Sequence, residues 1–437
     1  MGRDSKDATT LESDRERTSQ TSAGVNLCHV VFCPEAQRIG THFEIAANDD
    51  VIALGRDAGP SGSSFDDPRM SRLHARVTYD AAQRAFRFGD AKSSNGTHHN
   101  GRRADTGLLE NGDVLRLGDT LLVFERGRPM LELNETIARV APTDLTVLIS
   151  GESGTGKELF AKSVHELSGR KGPFVAVNCA AIPRDLVASE LFGHTRGAFS
   201  NATHARTGLF LSAQDGSLLL DEIGDLPLDQ QPALLRVLQE RSVRPVGSDR
   251  ELKTTARVLV ATHVDLAERL QSGAFRGDLL ARIAQCTLQV PALRERRSEV
   301  LALARTFAER AGRELELSPD AAERLLIWNW PFNVRELEAL VQTFCVLAAG
   351  ARLDLEYLSR KHPMLLAPDA AARAAEDASG KPSQRDDLQR LIQEHAGNIS
   401  AVARALGKPR AQIYRWLRRY HLALPGPRGK IQSSDEE

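Results

Sequence analysis

The chain has 437 residues, more than a single hydrophobic core usually organises, so about two to four domains are expected. Its net charge of −1 excludes a polycation, and any affinity for nucleic acid must come from local patches. No apolar run approaches the roughly 20 residues that span a bilayer. Five cysteines without a Cys-x-x-Cys pair exclude a disulfide scaffold and a zinc site. We therefore expect a cytoplasmic protein with free thiols.

The first segments of the chain predict a tail followed by a small all-β domain. Residues 1–24 are polar and charged with almost no apolar content, which is typical of a disordered tail. This charged N-terminus predicts neither a secretory signal nor an anchor. Across residues 25–126, short apolar runs are broken by Gly, Asp, Asn and Pro. That spacing is typical of short β-strands joined by turns.

The predicted β domain carries four short motifs: Gly55-Arg56, Ser71-Arg72-Leu73-His74-Ala75, Ser93-Ser94-Asn95-Gly96-Thr97 and Asn100-Gly101. Their order resembles the forkhead-associated (FHA) domain, a β-sandwich that binds phosphothreonine. A phosphate dianion favours arginine and hydroxyl donors. The resemblance implies a bracing role for His74 and a phosphothreonine site formed by Arg56, Arg69, Ser71, Arg72 and Asn95. The alternative is a sandwich that has lost phosphopeptide binding and only docks on the next domain.

The rest of the chain predicts an α/β domain followed by helices. Residues 129–294 alternate helical patterns with the apolar strands TVLIS, FVAVN, SLLLD and RVLVAT, which indicates a parallel sheet covered on both faces. Residues 295–357 have helical patterns throughout. Residues 358–384 include an Ala/Pro/Ser-rich linker. Residues 385–425 predict a compact helical end, and residues 426–437 predict a second tail.

The strongest local signal is a glycine-rich loop between the TVLIS strand and a helix. In such a loop, backbone N–H groups wrap phosphates and the helix N-terminus faces their negative charge. A lysine at the end of the loop reaches the β and γ phosphates. The pattern predicts an ATP-binding P-loop, and a chance glycine-rich turn is the weaker alternative. The predicted ATP-binding residues of this loop are Gly151, Glu152, Ser153, Gly154, Thr155, Gly156, Lys157 and Glu158.

An acidic pair at the end of a strand completes the predicted catalytic site. Glu158 stands where Ser or Thr usually contacts Mg²⁺, so another carboxylate must hold the metal ion. The strand SLLLD ends in Asp221, and Glu222 follows. We expect Asp221 to bind Mg²⁺ and Glu222 to polarise the attacking water. A solvated turn is the alternative reading of this pair.

Seven motifs spread over residues 130 to about 345 carry a family resemblance. They are GESGTGKE (151–158), FVAVNCAAI (174–182), SELFGH (189–194), LLLDEIGDLP (218–227), LLRVLQE (234–240), PALRERRSEV (291–300) and WPFNVREL (330–337). Together they resemble the central domain of the NtrC-type sigma-54-dependent transcription activators. The resemblance implies an AAA+ fold, a hexameric ring and ATP hydrolysis at the subunit boundaries.

The same resemblance implies roles for residues outside the P-loop. Asn178 matches the residue that restrains the catalytic glutamate, here Glu222. Arg276 and Arg282 match the pair that reaches the ATP of the neighbouring subunit, where an arginine stabilises phosphoryl-transfer charge. Two surface arginines on a helix are the alternative. Arg335 matches the nucleotide-sensing arginine of the helical lid.

The chain departs from the family at the loop that contacts sigma-54. The family motif GAFTGA is replaced by Gly197, Ala198, Phe199, Ser200, Asn201 and Ala202. Phe199 is kept as the apolar tip, and asparagine tolerates the left-handed backbone of the glycine that it replaces. His263 stands where relatives usually have Asn, and an imidazole can still donate a hydrogen bond. The link at 125–130 is shorter than in relatives, which predicts reduced nucleotide affinity.

The helical end of the chain predicts a DNA-binding helix-turn-helix. Two helices separated by Gly397-Asn398 precede a third, basic helix that starts at Pro409. The sequence GNISAVARALGKPRAQIYRWLRRY resembles the Fis-type end of these activators. A basic helix that only solvates the terminus is the alternative. The predicted DNA-binding residues are Lys408, Arg410, Gln412, Arg415, Arg418 and Arg419.

The predicted fold is therefore multidomain: an all-β FHA sandwich, an α/β AAA+ P-loop ATPase with a helical lid, and an all-α helix-turn-helix. The predicted function is ATP- and Mg²⁺-dependent remodelling of sigma-54 RNA polymerase complexes, controlled by phosphothreonine. The predicted partners are the polymerase, upstream DNA, a phosphothreonine protein or kinase, and further copies of the chain. Two alternatives remain, namely a DNA-bound regulator that no longer contacts sigma-54, and a phosphopeptide-dependent scaffold with a weakened ATPase.

Overall fold

The computed structural model describes residues 25–47, 51–59, 62–199, 202–348 and 352–366. These described residues belong to one compact unit. Both predicted tails and the predicted helix-turn-helix, including residues 408–419, lie outside the described residues. Within the described part, no helix is long and apolar enough to cross a bilayer.

The first eleven strands form the predicted all-β sandwich. They are β1 (Asn26–Phe32), β2 (His42–Glu44), β3 (Ile52–Gly55), β4 (Ser63–Ser64), β5 (Ala75–Asp80), β6 (Ala85–Asp90), β7 (Thr97–His99), β8 (Arg102–Arg103), β9 (Thr106–Leu109), β10 (Val114–Leu117) and β11 (Thr120–Arg126). One sheet has the order β2-β1-β11-β10-β7-β8, and the other has the order β4-β3-β5-β6-β9.

The central domain is built on a parallel sheet, as predicted. Its strands and two short hairpins are β12 (Val147–Ser150), β13 (Phe174–Asn178), β14 (Gly193–His194), β15 (Arg206–Thr207), β16 (Ser217–Asp221), β17 (Ser242–Val243), β18 (Leu252–Lys253), β19 (Arg257–Thr262) and β20 (Cys286–Gln289). The sheet order is β13-β16-β19-β12-β20, and all its neighbouring strands are parallel. The carboxyl ends of β12 and β16 therefore lie at one edge, where the P-loop and Asp221 follow.

Helices flank this sheet and then form a helical lid. They are α1 (Pro129–Val140), α2 (Lys157–Glu166), α3 (Val187–Phe192), α4 (Leu209–Ser212), α5 (Gln231–Glu240), α6 (Leu266–Gln271), α7 (Gly277–Ile283), α8 (Val300–Arg310), α9 (Pro319–Ile327), α10 (Asn333–Leu347) and α11 (Leu355–Lys361). Helix α11 begins in the predicted lid and continues past residue 357, so its end and a 3-10 turn at Pro363–Leu366 lie in the segment predicted as a linker.

Strand β11 is buried on both faces because it serves two hydrophobic cores. Side chains alternate across a strand, so Leu122 and Phe124 pack inside the sandwich. Leu121 and Val123 point the other way and share a core with the lid helices, including Leu325 and Val341. The sandwich and the lid are therefore packed directly on each other.

Candidate functional site

The P-loop links β12 to α2 and is shaped by left-handed glycines. Gly154 has φ +79°, and a Cβ built there would lie 2.2 Å from the Phe332 carbonyl oxygen. Lys157 is buried and its Nζ donates to the carbonyl oxygens of Gly151 at 3.0 Å and Glu152 at 3.1 Å. Burial lowers the pKa of Lys157, and Glu222 and Asp221 oppose that shift. The ammonium group is therefore held at the loop that would carry the phosphates.

The acidic pair lies at the end of β16, facing the P-loop lysine. Asp221 Oδ1 accepts a hydrogen bond from the Glu222 N–H at 3.0 Å. Burial and the neighbouring Glu222 raise the pKa of Asp221, whereas Lys157 lowers it. A divalent cation would relieve the desolvation and repulsion of this carboxylate, so the donor set fits a hard cation such as Mg²⁺.

Glu222 is positioned by His263. Its backbone has φ +51°, an uncommon left-handed conformation for a non-glycine residue. Its Oε2 accepts from the His263 N–H at 3.2 Å and lies 2.5 Å from His263 Nδ1. Asn178, which pairs in register with Asp221, uses its side chain to accept from the Ala180 N–H at 2.9 Å. Among the described residues, the side-chain partner of Glu222 is thus His263.

The lid is fastened to the P-loop by contacts that the sequence reasoning missed. Arg294 binds the Glu152 carboxylate through Nη1 at 2.8 Å and Nη2 at 2.5 Å. Asn333 Nδ2 donates to the same carboxylate at 3.1 Å. Arg294 and then Asn333 hold the pKa of Glu152 at about 2. Arg294 and Asn333 belong to the PALRERRSEV and WPFNVREL motifs, which gave the only signal available.

The predicted sensing arginine also reaches the P-loop. Arg335 lies near the start of α10, its Nη1 donates to Ser153 Oγ at 3.2 Å, and its N–H donates to the Gly154 carbonyl oxygen at 3.3 Å. Arg296 Nη2 donates to the Thr155 carbonyl oxygen at 2.9 Å. Several lid side chains therefore hold the loop that would enclose the phosphates.

The two arginines predicted to act on a neighbouring subunit have partners in their own chain. Arg276 precedes α7, and its Nη2 lies 2.6 Å from Asp278 Oδ2. Arg282 lies on α7 and its Nη2 donates to the Leu238 carbonyl oxygen at 2.8 Å. Arg276 is exposed, whereas Arg282 is half-buried. A role in a second subunit would require both side chains to exchange these partners.

The loop predicted to contact sigma-54 connects β14 to β15. The Gly197 N–H donates to the Ala202 carbonyl oxygen at 2.8 Å, which closes the base of the loop. The Phe199 side chain is 37% exposed and its ring centroid lies 5.0 Å from that of His194. Ser200 and Asn201 lie outside the described residues.

Four of the predicted phosphothreonine-binding residues are joined by hydrogen bonds at one end of the sandwich. The Arg56 N–H donates to the Ser71 carbonyl oxygen at 2.9 Å. Ser71 Oγ accepts from the Ser94 N–H at 3.0 Å. Asn95 Nδ2 donates to the Arg69 carbonyl oxygen at 2.6 Å. The residues with a predicted phosphate or peptide role therefore converge on one surface.

Backbone packing places the fifth residue, Arg72, beside the same surface. The Asp57 N–H donates to the Arg72 carbonyl oxygen at 2.9 Å. Buried His74 braces these loops, because its Nδ1 accepts from the Ser71 N–H at 3.2 Å and its Nε2 lies 3.2 Å from the Gly96 carbonyl oxygen. Burial lowers the pKa of His74, which favours the neutral ring that this pattern needs.

Three family models match the regions that build these sites. The Sigma-54 interaction domain matches residues 123–289. The AAA+ ATPase lid domain matches residues 294–374. The FHA domain matches residues 52–118.

Comparisons with whole proteins find similarity over about two thirds of this chain. The chain is 40% identical over 306 residues to transcriptional regulatory protein GlrR of Escherichia coli (strain K12), covering 69% of this chain and 68% of GlrR. It is 40% identical over 307 residues to NtrC of Azospirillum brasilense, covering 69% and 62%. The crystal structure of NtrX from Brucella abortus in complex with ADP is 31% identical, with a TM-score of 0.50 over 67% of this chain and 68% of that chain.

Proposed function

Because the chain belongs to the family of sigma-54-dependent transcription activators, we propose that its ATPase cycle remodels sigma-54 RNA polymerase under the control of phosphothreonine recognition. The chain is an ATPase with an AAA+ domain and lid, and it acts in ATP-dependent transcription activation. In this proposal the chain contacts sigma-54, recognises phosphothreonine and binds DNA. These steps would take place in the cytoplasm, where the polymerase works.

The convergence of the P-loop, the acidic pair and the lid carries the proposal. Lys157 would move from the loop carbonyl oxygens to the phosphates, and Asp221 would hold Mg²⁺, which neutralises phosphate charge when it is bound. Glu222 would orient the attacking water while His263 holds its carboxylate. Arg335 belongs to the lid and donates to Ser153 in the P-loop, so binding of a γ phosphate in this loop would change a contact of the lid.

The loop at 197–202 would carry the resulting motion to sigma-54. Its base rests on the loop between β17 and β18, because Thr195 Oγ1 donates to the Gly247 carbonyl oxygen at 3.1 Å. Its other anchor is α3, where Ser189 Oγ lies 2.7 Å from His194 Nδ1. A change at either support would shift the partly exposed Phe199, which supplies an apolar contact for a protein partner.

The FHA surface would supply the regulatory input. Arg56, Ser71 and Asn95 lie on loops that hydrogen bonds fix before any peptide arrives. Such preorganisation reduces the entropic cost of binding. A phosphothreonine peptide would therefore bind through arginine and hydroxyl donors to its phosphate.

Assembly and DNA binding complete the proposal. In a ring, Arg276 and Arg282 would leave their present partners and approach the ATP of the adjacent subunit. The basic residues at 408–419 would bind upstream DNA as part of paired half-sites. These last residues lie outside the described part of the chain.

The sigma-54 contact can be tested by co-migration of the protein with purified sigma-54 factor in gel filtration. Glu222→Gln should hold ATP without hydrolysis and co-migrate with sigma-54 only when ATP is present. Adding Phe199→Ala should abolish co-migration, whereas adding Leu270→Ala, which trims another exposed apolar side chain, should not. Co-migration that survives Phe199→Ala would contradict the proposed contact.

A further inference from the structure

A cavity of about 370 Å³ lies where the sandwich, the first helix of the central domain and the lid meet. It falls within the roughly 300–1,000 Å³ of small-molecule sites. Its walls come from β1, the start of α1 and one face of α8, and apolar side chains such as Leu27, Met130 and Leu131 line it. None of its lining residues belongs to the P-loop, the acidic pair or the predicted phosphothreonine surface.

One wall of this cavity holds a buried guanidinium with an unused donor. Arg296 is only 5% exposed. Its Nη1 donates to Glu299 at 3.2 Å and its Nη2 donates to the Thr155 carbonyl oxygen at 2.9 Å. Its Nε has no hydrogen-bond partner among the described residues. Buried N–H groups are nearly always hydrogen-bonded, and a buried donor without an acceptor destabilises the folded state.

A second arginine on the same wall has no counterion among the described residues. Arg305 lies one helical turn after Ala302 on α8, and both line the cavity. Burial alone lowers the pKa of Arg305, since no described carboxylate or hydrogen bond offsets it. An anion in the cavity would remove this desolvation penalty.

The carboxylates that line the cavity are already paired. Glu125 lies 3.1 Å from His29 Nε2 and accepts from Ser298 Oγ at 2.5 Å. Glu299 lies 3.2 Å from Arg296 Nη1. The lining has three arginines (Arg128, Arg296, Arg305) and these two glutamates, so its formal charge is 3 − 2 = +1 with neutral histidines.

We propose that this cavity binds a small amphipathic anion, with an apolar body along Leu27 and Met130 and a carboxylate or phosphate head at Arg305 and Arg296. The apolar lining favours a hydrocarbon chain, and the two guanidinium groups select negative over positive charge. Arg296 also donates to the P-loop residue Thr155, so an occupant would contact a side chain that holds the ATP-binding loop.

Isothermal titration calorimetry of the full chain with decanoate tests this site. Decylamine serves as the probe of matched chain length and opposite charge, and inorganic phosphate serves as the probe with charge but no chain. Arg305→Met removes the head-group charge, Ala302→Trp fills the cavity, and Arg310→Met is the matched control because Arg310 lies exposed on the same helix. Decanoate should also raise the Tm of the parent protein, because a ligand of the folded state stabilises it.

The expected result is saturable decanoate binding with one site per chain and at least about tenfold weaker binding of decylamine. Arg305→Met and Ala302→Trp should each weaken decanoate by about tenfold or more, and Arg310→Met should leave it unchanged. If Arg305→Met does not fold, the Ala302→Trp result decides. Absence of saturable decanoate binding, equal binding of decylamine, or decanoate affinity unaffected by Ala302→Trp would each overturn the proposal.

Discussion

Arg116, on the sheet of the sandwich that faces the lid, donates from Nη1 to Glu323 Oε2 of α9 at 3.1 Å. The Arg116 and Glu323 side chains are 12% and 10% exposed. The same Nη1 lies 2.5 Å from Asp320, which is more exposed. Together with the shared core that includes Leu121 and Val123, this pairing joins the two domains as packed neighbours. A conformational change in the sandwich would therefore act on the lid through this ion pair and the shared core.

Arg116→Met should lower the free energy of unfolding by about 3 kcal/mol, because it leaves Glu323 buried without its counterion. Arg87→Met is the matched control, since its partner Asp80 lies on the same sandwich but this pair is more exposed. The control should lose no more than about 1 kcal/mol. Urea titration of each variant measures the difference, and equal losses would contradict a structural role for the interface.

His263→Ala should lower kcat for ATP hydrolysis by about 10- to 100-fold, because Glu222 loses its contact with the His263 ring and keeps only the backbone N–H donor at 3.2 Å. Nucleotide affinity should stay near that of the parent, since His263 is not part of the P-loop. His263→Asn keeps a donor and should restore most of the rate. The readouts are phosphate release and binding of a fluorescent ATP analogue, with Glu222→Gln as the inactive reference. Full kcat in His263→Ala would disprove the positioning role.

Gly154→Ala should impair ATP hydrolysis by about tenfold or more, because its Cβ would lie 2.2 Å from the Phe332 carbonyl oxygen and force the lid off the P-loop. Gly169→Ala is the matched control, with φ +71° but no atom within 4 Å of the added Cβ. The control carries only the backbone strain of about 1–2 kcal/mol. Steady-state hydrolysis by both variants measures the effect, and equal rates would show that lid contact at Gly154 is unimportant.

The loops around His74 should lose protection as the pH falls. The pKa of folded His74 is lowered by burial, so below about pH 6.5 an opened or unfolded state takes up a proton that the folded state resists. The stability from neutral His74 is therefore present above pH 6.5 and declines as the pH falls towards the lower folded value. Protonation would also remove the acceptor for the Ser71 N–H.

Hydrogen-exchange mass spectrometry at pH 7.5 and pH 5.5, corrected for intrinsic exchange rates, measures this effect in segments that contain Ser71 and Gly96. His74→Gln should reduce the difference between the two pH values, whereas His204→Gln, at an exposed position, should not. A pH difference that His74→Gln leaves unchanged would exclude His74 as its source.

Periodicity and turn residues are enough to predict the all-β sandwich and the parallel sheet of the central domain. The strands SLLLD and TVLIS are apolar throughout because both faces of a parallel sheet are covered, and both were predicted. The contact between sandwich and lid is not predictable from the sequence, since Leu121 and Val123 have the alternating pattern of any half-buried strand. No neighbouring residue indicates that their partners are the lid helices. The Glu152–Arg294 pair spans a sequence separation too long for local patterns. The sequence indicates that the His263 ring can donate a hydrogen bond, but only the fold identifies Glu222 as the acceptor.

Open-complex formation on a sigma-54 promoter in a purified transcription system tests the central claim most directly. With ATP, the parent protein should form open complexes. Lys157→Ala should form none because it lacks the phosphate-binding lysine. Phe199→Ala should hydrolyse ATP yet form none, because it lacks the apolar tip of the loop. ATP turnover by the parent without open complexes would contradict the account and favour a regulator that no longer contacts sigma-54.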